Sequence, residues 1–216
     1  MTSGIAIYGG TFDPVHIGHL RSAIDVQALL DITELRMVPS CIPPHREQPG
    51  ANALARLEML SLAIRDLPGI VIDRREIDRS GVSYSIDTLK EIRRENLRND
   101  IDLPLFFVMG QDAFALIHTW RDWQSLTEFA HLVILERPGT EVPQPTDPVL
   151  EWLIGKEIQD VEEFGNSNCG QVLRVKLTQL DVSATDIRRR CHSGQAINFL
   201  VPTTVQDHIT AHKLYQ

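Results

Sequence analysis

The sequence predicts a doubly wound α/β fold, with a mostly parallel sheet covered by helices on both faces, built as a single domain over residues 1–216. Three observations lead there. Short, almost unbroken apolar runs alternate with longer segments of helical period, and such runs mark strands buried on both faces. The first run ends on Gly9-Gly10 and gives way at once to a helical pattern, the kind of junction where open α/β sheets bind ligands. A length of 216 residues with 43% hydrophobic content is one domain of ~100–200 residues or a little more, with enough apolar matter for a core.

The elements follow in order. Ile5-Ala-Ile-Tyr8 reads as a buried strand, and Ile17, Leu20, Ile24 and Ala28 line one face of the helix after it. Leu35-Arg-Met-Val38 is a second strand, stopped by Pro39, and the proline-rich stretch from Pro39 to Asn52 is a loop. Leu57, Leu60, Ile64 and Leu67 mark a second helix, and Ile70-Val-Ile72 a third strand. Residues 83–98 read as helix, Leu105-Phe-Phe-Val-Met109 as strand, and a further helix starts near Gln111. Leu132-Val-Ile-Leu135 and Val172-Leu-Arg-Val-Lys-Leu177 are two more strands, and helices at about 183–192 and 203–215 form a C-terminal helical part. Residues 139–170 carry prolines and acids with little periodicity; they read as an inserted flap or surface excursion and not as a separate domain.

Charge and cysteine usage narrow the function classes. Lys plus Arg number 21 against 29 Asp plus Glu, a formal charge of −8, which argues against a nucleic-acid coat or a polybasic membrane binder. No apolar run approaches the ~18 residues of a membrane span, and the strand-like start predicts no signal peptide. Cys41, Cys169 and Cys191 are odd in number, far apart and without CxxC spacing, which fits a reducing cytoplasm better than a disulfide or zinc framework. Oligomeric state is left open, a homo-oligomer included.

The richest segment is Gly9-Gly-Thr-Phe-Asp-Pro-Val-His-Ile-Gly-His-Leu20. Gly9 and Gly10 permit a tight turn and close backbone approach, and the helix start that follows offers N–H groups and a positive dipole end to an anion. His16 and His19, three apart, share the face of that first turn, where two imidazoles can donate to phosphate oxygens. The plainer reading makes the glycines a turn and the histidines satisfied structural groups; their combination at a strand-to-helix junction favours function. As a metal site the pair lacks a third ligand at credible spacing, so no protein metal site is assigned. GxGxxG and GxxxxGK[ST] are both absent, which removes most support for a dehydrogenase or a P-loop NTPase.

A second anion-binding candidate is Ser183-Ala-Thr-Asp-Ile-Arg188. Ser183 with Asp186 makes a capping pair, and the same helix start aims Ser183, Thr185 and, one turn on, Arg188 at one place, with forked Arg188 suited to polyphosphate. Arg189 and Arg190 read as solvated. Pro43-Pro-His-Arg46 puts two phosphate donors in a stiff loop, Gly110 and Asp112 end a strand in a way that suits ribose hydroxyls, and Trp120 offers a ring for stacking. Taken singly, each of these is equally a loop, a cap or a core residue.

Together these segments resemble a known family. Gly9 to His19 is similar to the signature of the nucleotidylyltransferase superfamily, and Ser183 to Arg188 to its second phosphate element. With Pro43 to Arg46, Ser83 to Leu89, Gly110 to Asp112, Thr119-Trp120 and Arg137 to Gly139, in family order, the set resembles the bacterial nicotinate-nucleotide adenylyltransferases. The resemblance implies a Rossmann-like nucleotidylyltransferase fold and a reaction in which nicotinate mononucleotide attacks the α-phosphate of ATP, giving deamido-NAD and pyrophosphate in NAD biosynthesis. It implies that Gly9, Gly10, Thr11, Phe12, His16 and His19 meet ATP, with His16, His19 and Arg188 catalytic and His19 the main stabiliser of the transition state. Ser183, Thr185 and Arg188 would hold the β- and γ-phosphates, and Gly110 and Asp112 the adenosine ribose. His45, Arg46 and Arg137 would take the mononucleotide phosphate, Trp120 would stack on the pyridine ring, and backbone N–H groups near Ser85 and Arg121 would take its carboxylate. Mg2+ would arrive with ATP. Rival readings are a sister enzyme with another phosphate acceptor and a catalytically silent nucleotide sensor.

Overall fold

The computed structural model describes residues 4–43, 49–136, 146–178 and 180–216. Seven strands form one sheet: β1 (Ile5–Gly10), β2 (Glu34–Pro39), β3 (Ile70–Ile72), β4 (Leu105–Gly110), β5 (His131–Leu135), β6 (Glu157–Ile158) and β7 (Val172–Val175). Their order across the sheet is β3-β2-β1-β4-β5-β7-β6, and every pairing among the described residues is parallel. The predicted mostly parallel sheet is thus parallel throughout, with β1 and β4 side by side where the winding reverses.

Alternate residues of each strand feed two cores, as the period of two requires. Ala6, Tyr8, Leu35, Met37, Phe106, Val108, Val133 and Leu135 face one side, where they meet Ala23 and Val26 of α1 (Ile17–Leu29), Met59, Leu60 and Ile64 of α2 (Ala53–Ile64), Ile187 of α8 (Ala184–His192) and Val205 and Ile209 of α9 (Thr203–Ala211). Ile5, Ile7, Leu105, Phe107, Met109, Leu132 and Ile134 face the other side, against Ile86, Leu89 and Ile92 of α4 (Ser85–Arg98) and residues of the short helices α5 (Gln111–Ala115), α6 (Leu126–Phe129) and α7 (Asp147–Leu153). A short α3 (Arg75–Arg79) follows β3.

Several expectations need correction. The buried stripe of α1 is set by Ala23 and Val26, with Leu20 and Ile24 partly buried, whereas Ala28 is exposed. In α2 the buried stripe runs through Arg56, Met59, Leu60 and Ile64, and Leu57 is only half-buried. The helix expected near Gln111 does start there, and it is short: α5 gives way to 3-10 turns at Ile117–Thr119 and Trp123–Ser125, with Asp122 at a left-handed φ of 48° between them. The last helix stops at Ala211, and Lys213 and Tyr215 turn left-handed at φ of 52° and 64°. The barely periodic stretch from 146 onward holds α7 and β6, which are too short to leave a periodic trace.

Candidate functional site

In open α/β sheets ligands bind beyond the carboxyl ends of the strands where the winding reverses, here between β1 and β4. Those strands end on Gly10 and Gly110, with Tyr8 paired to Val108 just before them. A Cβ on Gly10 would stand 2.8 Å from the Phe12 ring, so glycine is needed there, whereas at Gly110 a Cβ would meet nothing within 4 Å. Phe12 itself is buried at a left-handed φ of 48°, and its ring is edge-on to Tyr8 and to His19, at 6.0 and 5.1 Å. The chain then runs through a cis Asp13-Pro14 bond into His16, the N-cap of α1.

His16 is buried and His19 half-buried, and their rings stack with centroids 3.6 Å apart. The His16 backbone N–H donates to His19 Nδ1 at 3.2 Å. That bond makes Nδ1 an acceptor and assigns the ring proton of neutral His19 to Nε2, which becomes a donor. The sequence also suggested open helix amides here. In the structure the Ile17 N–H donates to the Leu200 carbonyl at 3.0 Å and the His19 N–H to the His16 carbonyl at 3.0 Å. The helix start is partly closed by its own fold, and the imidazoles carry more of the donor capacity than expected.

Asp13, with Pro14 read from the sequence as fixing the turn before the helix, also ties that turn to remote segments of the chain. Its carboxylate is buried and accepts from the Gly50 and Ala51 amides at 2.7 and 3.1 Å and from the Tyr215 hydroxyl at 2.7 Å. Arg188 Nη1 donates to the Asp13 carbonyl at 2.7 Å and lies 3.7 Å from its Oδ2, while Nη2 reaches Thr185 Oγ1 at 3.3 Å. Arg188 and the Gly9–His19 turn are therefore one assembly. Ser183 caps α8 by accepting from the Asp186 N–H at 3.2 Å, and Ser183 and Thr185 are both exposed. Arg189 and Arg190 both pair with Asp186, whose carboxyl they hold below the usual range.

Arg56 is a residue that the sequence did not single out. Fully buried, it donates to the carbonyls of Thr11 (2.6 Å), Ser40 (2.7 Å), Cys41 (3.0 Å) and Ala51 (3.2 Å). A cation on the apolar stripe of α2 was the available signal, since such a residue is buried only with partners.

On the β4 side Asp112 is exposed in the first turn of α5, and Trp120 is half-buried, edge-on to Phe107 at 6.4 Å. Ser85 opens α4, where the Asp87 and Thr88 N–H groups donate to the Tyr84 carbonyl at 3.1 and 3.3 Å, so that Ser85 and Ile86 carry the amides that precede the helix's own bonds. Its start is tied to the segment after β2 by the Ser83 N–H on the Ile42 carbonyl (3.0 Å) and the Cys41 N–H on Ser83 Oγ (2.9 Å). Arg121 lies 5.0 Å over the Tyr84 ring and 3.4 Å from Asp87, which brings it to the same helix start as Ser85. His45, Arg46 and Arg137 lie outside the described residues. Among the described residues no group of three or more His, Cys, Asp or Glu could hold a metal ion, and no helix is long and apolar enough to cross a membrane.

A family model described as cytidylyltransferase-like matches residues 7–190. The chain belongs to that family. It is 41% identical over 213 residues to the "Probable nicotinate-nucleotide adenylyltransferase" of Chromohalobacter salexigens, covering 98% of this chain and 95% of that protein. A protein of the same name from Pseudomonas fluorescens is 41% identical over 216 residues, covering 100% of this chain and 99% of that one. Among solved structures, the Plasmodium falciparum nicotinic acid mononucleotide adenylyltransferase complexed with NaAD superposes with a TM-score of 0.73 at 18% identity, over 99% of this chain and 97% of that one. At that identity the likeness concerns the fold alone. The cytidylyltransferase-like match runs from within β1 to the last turn of α8, so it includes both phosphate elements read from the sequence.

Proposed function

We infer that this chain transfers the adenylyl group of ATP to nicotinate mononucleotide, releasing pyrophosphate and forming deamido-NAD, in NAD biosynthesis. One observation carries the reading: the stacked His16–His19 pair and Arg188 are built onto a single turn at the β1–β4 crevice, joined through Asp13. The names of the full-length relatives support the choice of acceptor.

The chemistry needs little from the protein beyond placement and charge. A phosphate nucleophile is already ionised at neutral pH, so in-line attack on the α-phosphate requires neither a general base nor a covalent intermediate. The gain then comes from orientation and from donors aimed at the developing charge. His19, with its proton on Nε2, donates to a phosphate oxygen as negative charge builds, and His16 supports it from the other face of the stack. Arg188, with Ser183 and Thr185, holds the β- and γ-phosphates that depart as pyrophosphate. Gly9, Gly10, Thr11 and Phe12 shape the turn against ATP, and Gly110 and Asp112 receive the ribose. Mg2+ is part of the ATP substrate, bound through its phosphates and water.

For the acceptor, Trp120 stacks on the pyridine ring, and first-turn amides near Ser85 with the backbone at Arg121 meet its carboxylate. His45, Arg46 and Arg137 take its phosphate. A cytoplasmic location is proposed from cysteine spacing alone. The test is pyrophosphate release from Mg-ATP with nicotinate mononucleotide, pantetheine phosphate or a polyol phosphate as acceptor. Release with the mononucleotide alone is expected; release with either other acceptor at equal efficiency contradicts the reading.

A further inference from the structure

Tyr215 lies 202 residues from Asp13 in sequence, yet its hydroxyl donates to Asp13 Oδ1 at 2.7 Å. The contact is held on several sides. The phenol is largely buried, and burial together with the Asp13 carboxylate pushes its ionisation well above the ordinary tyrosine value, so it stays a donor at any working pH. Tyr215 also adopts a left-handed φ of 64°, a conformation that bulky residues keep only when their surroundings fix it. The Gly50 backbone lies against both the tyrosine and the arginine: a Cβ there would stand 3.1 Å from the Tyr215 ring and 3.2 Å from Arg188 Cδ.

The hydroxyl decides how Arg188 and Asp13 share each other. Asp13 draws two amides and the phenol to its carboxylate, and Arg188 takes the Asp13 main-chain carbonyl at 2.7 Å while Nη1 stays 3.7 Å from Oδ2. A carboxylate stripped of one donor in a buried place seeks another, and Arg188 is the cation already beside it. We propose that Tyr215 is a positioning residue: by satisfying Asp13 it keeps Arg188 from closing onto that carboxylate and leaves the guanidinium turned to the triphosphate of ATP. The proposal rests on the adenylyl-transfer reading given above and extends it to a residue outside both sequence motifs.

The test compares wild type, Tyr215→Phe, Arg188→Ala and the double variant, with steady-state constants for both substrates and the thermal midpoint of each protein. Tyr215→Phe is expected to raise the KM for ATP on the order of tenfold, the scale of one charge-assisted hydrogen bond. The KM for nicotinate mononucleotide should move by less than about twofold, because Arg188 serves the triphosphate and not the acceptor. In the Arg188→Ala background the same change should have almost no further effect. A chain ending at Leu214, which removes the phenol without pressing on Arg188, should give the same ATP-selective change and the same silence without Arg188, and it decides the matter if Tyr215→Phe fails to fold. Unchanged constants in Tyr215→Phe beside an active wild type would overturn the proposal, as would an equal loss with and without Arg188. A wild type that releases no pyrophosphate would instead overturn the adenylyl-transfer reading.

Discussion

Arg56 and Arg93 use one device at opposite ends of the sheet. Arg56 gathers the carbonyls of Thr11, Ser40, Cys41 and Ala51, which follow β1 and β2 at the carboxyl edge. Arg93 gathers those of Leu103 (2.8 Å), Phe129 (2.7 Å) and Asn168, which precede β4, β5 and β7 at the amino edge. Burial lowers the proton affinity of both guanidinium groups, and both are held by fans of main-chain acceptors. The difference lies in what the tethered loops carry. At the carboxyl edge the loop after β1 leads into the helix start with His16 and His19, and the loop after β2 is bonded through Cys41 to Ser83, just before Ser85; at the amino edge the loops are connectors closed by their own hydrogen bonds. A buried arginine therefore marks a place where loops must be pinned, and the chemistry at each edge comes from strand direction, which sends the starts of α1, α4 and α8 to one side.

Removing each arginine should break this comparison most strongly. Arg56→Ala leaves a set of buried carbonyls without their shared donor and should cost about 3–5 kcal/mol of stability together with activity. Arg93→Ala, at a half-exposed position open to water, should cost about 1–3 kcal/mol and leave both KM values in place. Denaturant unfolding with kinetics on the folded fraction checks both; an Arg93 variant with altered substrate constants would erase the division between the edges.

Two histidines sharpen it further. His19→Ala should lower turnover on the order of 10²–10³-fold, as for loss of one transition-state donor, while the thermal midpoint falls by only a few degrees for the lost cap to the His16 N–H. His131, at the amino edge, is buried, shares a 2.7 Å contact from Nε2 to the Ser167 carbonyl and accepts the Gln171 N–H on Nδ1 at 3.2 Å. This pairing suits the neutral ring, and burial pulls its pKa below the ordinary histidine value. The unfolded chain takes up a proton near pH ~6.5 while the folded one resists, so stability is full above that pH and falls as pH drops below it, by at most about 1.4 kcal/mol per pH unit. His131→Gln should flatten that slope in thermal melts between about pH 5 and 8 without changing turnover. A steeper acid loss in the variant would reverse the sign of the argument.

Much of this was readable from local pattern. β1, β4 and β5 announce themselves because burial on both faces leaves almost no polar residue in them, whereas β2 and β3 show through shorter apolar runs with one face partly open; the His16–His19 pair sits where the strand-to-helix junction places it. What escaped the sequence is non-local. Asp13 meets Tyr215 across 202 positions and Arg188 across 175, and no periodicity encodes such closures. Ala28 looked like part of the buried face of α1, but packing against the sheet selects Ala23 and Val26, a rotation that the hydrophobic pattern alone does not resolve. β6 is two residues at the sheet edge, its place fixed by pairing with β7 and not by its own composition.

Recognition of the acid mononucleotide at the carboxyl edge is tested most directly by kcat/KM for nicotinate mononucleotide and for its amide, on wild type and on Trp120→Ala. A carboxylate only accepts, so two amide donors satisfy it and its charge strengthens both bonds, whereas a carboxamide must turn an NH2 toward one donor. The loss of one such bond, about 1.5–3 kcal/mol, predicts a preference of about 10- to 150-fold for the acid. Stacking is worth ~1–3 kcal/mol for either ring, so Trp120→Ala should weaken both acceptors and leave their ratio nearly unchanged. Equal wild-type values for acid and amide would contradict the account, and a ratio that collapses in Trp120→Ala would move the discrimination from the amides at Ser85 and Arg121 to the indole.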